Sequence, residues 1–131
     1  VTAVTRLGSG GPWEAVYGYS RVVRAGDLAI TAGCTSTVDG RVVHVGDAAA
    51  QTAQALRIGL AALAEVGAGP TDVVRTRMYV TDRSLADEIG RAHNAVFGAV
   101  RPVATMVVVA GLIDPEHLVE VELEAYLGDV G

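Results

Sequence analysis

The segment from Val119 to Tyr126 alternates without a break. Val119, Val121, Leu123 and Ala125 fall on one side; Glu120, Glu122, Glu124 and Tyr126 fall on the other. A period of two is the mark of a β-strand with one buried face, and no helix sorts residues this way. The three glutamates stand roughly 6–7 Å apart along one face. Upstream, Thr105 to Ala110 reads as a strand of another kind, with Val107, Val108 and Val109 in succession. Consecutive β-branched residues put apolar side chains on both faces of a sheet. The apolar face of the alternating strand needs a cover from within the chain. A second cover exceeds what 131 residues supply, so neighbouring copies of the same chain are its expected source.

At this length residues 1–131 are expected to form a single domain, burying about two-thirds of its unfolded surface. Half of the residues are hydrophobic but only 5% are aromatic, so Ala, Val, Leu and Ile must build the core. A net charge of −5 with no basic cluster argues against a nucleic-acid partner. All 10 basic residues are arginines. The absence of lysine excludes a Schiff base and a Walker-type phosphate loop. A lone cysteine, Cys34, precludes an internal disulfide and suits a reducing cytoplasm. VTAVTRL lacks the charged start and apolar run of a secretory signal. The longest apolar run, Met106 to Ile113, is too short to span a membrane.

Along the chain, Val1 to Leu7 is a candidate strand, followed by the glycine-rich LGSGGPWEAVYG, read as a surface loop. A phosphate cradle would need a helix directly after it, and a strand from Tyr19 to Val23 is expected instead. A turn at Ala25-Gly26-Asp27 leads to a strand over Leu28 to Ala32, and Asp39-Gly40 signals a tight turn. Asp47 is the expected N-cap of a helix with an apolar stripe at Ala49, Ala53, Leu56, Leu60 and Leu63, stopping at Gly67. Val73 to Val80 is a strand, with Arg75, Arg77 and Tyr79 opposite Val74, Thr76, Met78 and Val80. A second helix is expected over Leu85 to Phe97, capped by Ser84 and Asp87, with Leu85, Ile89, Ala92 and Val96 inward and Gly98 at its end. This order predicts an α+β fold with both helices on one sheet face. The other face then carries the glutamates against Arg75, Arg77 and Tyr79, as a polar surface between subunits.

The carboxylate row is the best catalytic candidate. Read plainly, it is a solvated face or a set of ion-pair partners. Read functionally, one carboxylate, raised in pKa by its neighbours, activates a water. His44, His93 and His117 lack metal-ligand spacing; His44 and His117 read as surface residues and His93 as a packed helix residue. No metal or cofactor is expected. Gly33-Cys34 ends a strand, where a glycine allows close approach to a ligand. Trp13, Tyr17 and Tyr19 are candidates for the wall of a small pocket.

The pieces GYSRVVRAGDLAITAG, VVRTRMYVTD and RPVATMVVVAGLIDPEHLVEVELEAY resemble, in order and spacing, the RidA/YjgF family, also labelled endoribonuclease L-PSP. The resemblance covers nearly the whole chain from Tyr19 onward. It implies a chorismate-mutase-like α+β fold: a mixed sheet with two helices on one face, assembled as a homotrimer with clefts between subunits. For the best-studied members it also implies hydrolysis of reactive imines or enamines to ketones with release of ammonia. Tyr19, Gly33 and Thr105 match family positions at the ligand, and Glu122 matches the glutamate that activates water. The carboxylate-gripping arginine of the family's Pro-x-Arg-Ser/Thr pattern is absent: Pro102-Val103-Ala104-Thr105 has Ala104 in its place, and the cysteine common two places later is missing, with Met106 there. Losing a charge-assisted, bidentate grip removes much of the hold on an imino acid. Either the substrate lacks that carboxylate, or Arg77 or Arg75 supplies the charge.

Two functions follow. The first is a cytoplasmic homotrimeric hydrolase of the imine/enamine deaminase type, with Trp13, Tyr19, Gly33, Cys34, Ala104 and Thr105 lining the cleft and Glu122 orienting water. The second is a trimeric metabolite-binding or regulatory module without turnover. Ribonuclease chemistry finds little support in an acidic chain without lysine or a histidine pair.

Overall fold

The computed structural model describes residues 3–128; Val1 and Thr2, placed in the first strand on sequence grounds, lie outside that range. One six-stranded sheet is formed by β1 (Val4–Leu7), β2 (Val22–Ala25), β3 (Leu28–Thr31), β6 (Val73–Val80), β7 (Val103–Val108) and β8 (Val119–Tyr126), in the order β1-β2-β3-β8-β6-β7. Only β6 and β7 pair in parallel, so the sheet is mixed, as expected. A two-stranded ribbon, β4 (Thr37–Val38) and β5 (Arg41–Val42), turns at Asp39-Gly40. Both turn residues have positive φ (52° and 76°), as a two-residue hairpin turn requires.

Two helices cover one face. In α2 (Ala48–Glu65), Asp47 accepts a hydrogen bond from the Ala50 amide at 3.0 Å, as its N-cap role requires. The buried stripe is rotated from the expected one and runs through Ala48, Gln51, Thr52, Ala55, Leu56, Gly59, Ala62 and Leu63. Polar Gln51 belongs in it because its amide bonds the carbonyls of His44 and Glu116 and the Leu118 amide, pinning the loop before β8. Gly59 lets α2 sit directly on β8: a Cβ there would stand 2.8 Å from Leu123 Cδ1. Helix α3 (Ala86–Phe97) follows a short 3₁₀ turn capped by Asp82 rather than Ser84, and it buries Ile89 and Phe97. Gly98 stays helical, and Arg101 (φ 58°) is the residue that closes the turn, its amide reaching the Phe97 carbonyl at 2.8 Å.

Four further expectations are corrected. The glycine-rich segment is not all loop: α1 (Pro12–Tyr17) starts at proline, whose fixed φ suits the first helical position, and stops at left-handed Gly18. Tyr19 precedes β2, its amide tied to the Glu14 carbonyl at 3.0 Å. In β6 a bulge between Val73 and Arg75 leaves Val74 exposed, because one extra residue breaks the two-residue alternation. Val107 and Val108 are 42% and 54% exposed in the single chain. The strand read as Thr105 to Ala110 is instead β7, which ends at Val108 and runs along the sheet edge, with Met106 packed against the core and Val107 and Val108 uncovered.

Candidate active site

The helix-free sheet face carries the charges that alternation assigns to it. Arg75 pairs in register with Glu124, Arg77 with Glu122, and Tyr79 with Glu120. Arg77 Nη1 lies 3.1 Å from Glu124 and 3.7 Å from Glu122, and Arg75 lies 4.0 Å from Glu124. Tyr79 is pushed above the ordinary tyrosine range by its hydrogen bond to the Glu122 carboxylate and by burial. Thr105 stands beside Arg77 in the parallel pair. The exposed apolar residues Val4, Leu28, Ile30, Val103 and Val107 lie on this same face.

A second cluster adjoins this row through Glu120. The Glu120 carboxylate packs against Gly33 so closely that a Cβ on residue 33 would fall 1.8 Å from Oε2. The glycine thus makes room for a carboxylate of the same chain. The carbonyl of Gly33 accepts a hydrogen bond from Arg21 Nη1. Arg21 also lies 3.5 Å from Glu14 and beneath the Tyr19 ring, 5.8 Å from its centroid. Glu14 in turn accepts from the Ser9 amide at 2.9 Å and from the Ser9 hydroxyl. The glycine-rich turn therefore spends an amide on an internal carboxylate, and α1 is held to the body. Burial acts to raise the Glu14 pKa, but the Ser9 bonds and Arg21 outweigh it and the carboxyl titrates below its usual range.

Glu120 is the carboxylate whose surroundings disfavour its charge. Half-burial raises its pKa, the neighbouring Glu122 raises it further, and Arg21 only partly opposes them. Among the described residues Glu120 has no salt bridge, whereas Glu122 and Glu124 are held by arginines.

The residues expected to line the site divide. Tyr19, Gly33 and Glu120 cluster around Arg21, while Arg77, Thr105 and Glu122 sit beside them on the open face. Trp13 is exposed and stacks on Tyr17, with ring centroids 5.4 Å apart; its link to the cluster is the helix that also carries Glu14. Cys34 turns the other way. It bridges to Val121, whose side chain is buried, and its thiol lies in the core near Gly59. Burial pushes that thiol up in pKa despite Arg21, which leaves it protonated near neutrality. Ala104 also points away from the glutamates. Its register partner Thr76 is buried under the helices and bonded to His93 Nε2 at 2.8 Å. Neighbouring residues on a strand face opposite sides, so one chain cannot offer Ala104 and Thr105 to the same ligand. His117, expected at the surface, is buried and bonds the Thr37 hydroxyl at 2.9 Å.

Arg21 and Glu14 did not stand out in the sequence. Period two assigned Glu120 to the polar row, but nothing local says that it, among three glutamates, meets a glycine across the strand. A groove of about 830 Å³ lies elsewhere, at the β2–β3 turn and the end of α2. There Arg24 bonds the Gly26 and Val66 carbonyls, an arrangement that caps the end of α2, and Asp27 and Glu65 complete the lining. Among the described residues no three His, Cys, Asp or Glu side chains gather as a metal site, and no helix is long and apolar enough to cross a membrane.

Comparison with known proteins places this architecture. The sequence profile described as Endoribonuclease L-PSP matches residues 12–127. An uncharacterized protein of Streptomyces coelicolor is 44% identical over 128 residues, which are 98% of this chain and 96% of that protein. A Mycobacterium tuberculosis structure, described as a member of the highly conserved YjgF/YER057c/UK114 family, is 48% identical with a TM-score of 0.86, covering 95% of this chain and 99% of that one. A Pseudomonas aeruginosa protein of unknown function is 29% identical with a TM-score of 0.83, covering 97% of this chain and 94% of that one. The mixed sheet with both helices on one face is the fold that these proteins share, and the chain belongs to the endoribonuclease L-PSP family, the RidA/YjgF/UK114 group.

Proposed function

We propose that this protein hydrolyses a small reactive imine or enamine to a carbonyl compound and ammonia, in a cleft that forms where copies of the chain meet, with Glu122 positioning the attacking water. The observation that carries this reading is the carboxylate row on an uncovered sheet face, flanked by Tyr19 and Gly33. Imine hydrolysis needs a water, a group to take its proton and a group to protonate nitrogen, and carboxylates of unlike surroundings supply both. The exposed valines and isoleucine around the row favour assembly into a homotrimer, which would dry the face and strengthen its electrostatics. Within that assembly Ala104, on the far side of β7 from Thr105, would belong to the cleft shared with a neighbouring copy and present a small apolar wall. Arg77 and Arg75 already serve Glu122 and Glu124, which favours a substrate held by something other than a free arginine on this face.

A second reading, a trimer that binds a metabolite without turning it over, draws on the same substitution: an alanine at 104 keeps the cleft and removes a charged grip. Phosphodiester cleavage suits the row poorly, since three carboxylates repel a phosphate.

The two readings separate in one assay. Generate 2-iminopropionate and simpler imines without a carboxylate in situ, and follow ammonia release with wild type and Glu122→Gln. Acceleration that disappears in the variant supports the hydrolase. No acceleration with any imine, together with saturable metabolite binding, supports the module. Sedimentation of the wild type as a monomer would sink both.

A further inference from the structure

We infer that Glu120 is a second catalytic carboxylate, the group that donates a proton to the substrate nitrogen while Glu122 takes one from water. The inference rests on the hydrolase reading and deepens it.

The two glutamates share a strand face and differ in what holds them. Glu122 faces Arg77 at 3.7 Å. Glu120 has no ion-pair partner among the described residues, and the guanidinium that bears on its charge, that of Arg21, is engaged by Glu14 and the Gly33 carbonyl. Glycine at position 33 gives the Glu120 carboxylate its half-dry seat, because any side chain there would occupy the same space. The titratable and charged groups around Glu120 are Glu122 on its own strand, Tyr79 opposite on β6, Arg21 ahead of β2, and Cys34 behind Gly33. Burial disfavours the charge, Glu122 disfavours it further and Arg21 opposes them, so the Glu120 carboxyl holds its proton more tightly than an ordinary glutamate. Residues i and i+2 of a strand are roughly 6.6–6.8 Å apart. That repeat sets the roots of the two side chains apart on one face, and the proposed role requires a C=N bond and one water to fit between their carboxyl groups.

The cycle balances. Water oxygen bonds to the imine carbon, Glu122 takes the water proton, and the π pair moves to nitrogen, which takes the proton of Glu120. The product is a neutral carbinolamine. In collapse, nitrogen takes the proton now on Glu122, the C–N bond breaks with its pair on nitrogen, and ammonia leaves. The hydroxyl proton passes to Glu120 as the carbonyl forms, so both carboxyl groups end as they began.

The test compares pH–rate profiles of imine hydrolysis for wild type, Glu120→Gln and Glu122→Gln, alongside ¹³C NMR titration of the Glu120 carboxyl. The expected result is a loss of about 10²–10⁴-fold in Glu120→Gln, the range for a positioned acid. The alkaline limb of the profile should vanish in that variant. Glu120 should titrate above the ordinary glutamate range in wild type and fall back toward it in Glu122→Gln. Wild-type rate and an intact alkaline limb in Glu120→Gln would overturn the inference, as would ordinary titration of Glu120. An active wild type with an inactive Glu122→Gln and an unaffected Glu120→Gln removes this assignment alone. A wild type inactive on every imine removes the hydrolase reading, and the proton-donor role falls with it.

Discussion

Gly33→Ala tests the seat of Glu120 directly. The added methyl would stand 1.8 Å from Glu120 Oε2, 2.8 Å from Cδ and 3.2 Å from Cγ, where carbon atoms rest at about 3.5–4.0 Å. The carboxylate must therefore move by roughly the difference, about 2 Å. The obstructing atoms are the free end of a flexible side chain on an uncovered face, so the side chain swings out and the backbone stays. A displaced rotamer costs about 0.5–1.5 kcal/mol. Gly33 does not occupy the left-handed region, so alanine at this position narrows the unfolded ensemble and returns about 0.4–1 kcal/mol. The net change near neutrality should stay within about 1 kcal/mol.

The pH dependence carries the stronger signal. Glu120 has a folded-state pKa raised above its ordinary value of 4.5. Its contribution to stability is therefore fully present below the unfolded value and is lost as pH rises through the folded one. Once the side chain is displaced into water, that loss disappears. The melting-temperature difference, variant minus wild type, should become more positive from about pH 4.5 upward. Thermal melts from the ordinary value of 4.5 up to about pH 8 measure it, and NMR titration should show Glu120 returned toward its usual range. A pH-independent difference, or Glu120 still raised in the variant, would refute the claim that the Gly33 contact creates the dry seat.

Two further outcomes test the packing behind the site. Gly59→Ala gains about 1 kcal/mol of helix propensity but sets a methyl 2.8 Å from Leu123 Cδ1 and 3.5 Å from Cys34 Sγ; overpacking costs about 1–3 kcal/mol. Urea denaturation should show a net loss of about 1 kcal/mol, and an unchanged midpoint would mean that α2 can shift off β8. Burial holds His93 and His117 below the usual histidine value of 6.5. Their contribution is present above that pH and lost as pH falls, so unfolding free energy should decline on acidification from 6.5. A double substitution to glutamine should flatten that arm, and an unaltered arm would reject the assignment.

Much of the architecture was legible because it is local. Val119 to Tyr126 alternates, so β8 and its carboxylate face could be read directly, and the pairing with Arg75, Arg77 and Tyr79 followed from the same rule. Asp47 caps α2 and Asp39-Gly40 turns β4 into β5 because short-range hydrogen bonding and left-handed φ set both. The failures arose where a distant contact outweighs local preference. Helix α1 survives with six residues because Glu14 is tied to Ser9 and Arg21. His117 is buried because Thr37, 80 residues away, offers it a hydroxyl.

At the site the division is sharper. Sequence alone determined that three carboxylates share one sheet face, and the family resemblance alone put Ala104 where an arginine is expected, since a strand's period and a residue's identity need no neighbours. Only the tertiary structure decided that Glu120 is the glutamate left unpaired against Gly33, and that Cys34 and Ala104 face away from the row. Desolvation and charge pairing are properties of what lies across the strand, and the backbone ladder that sets those partners joins segments far apart in the chain.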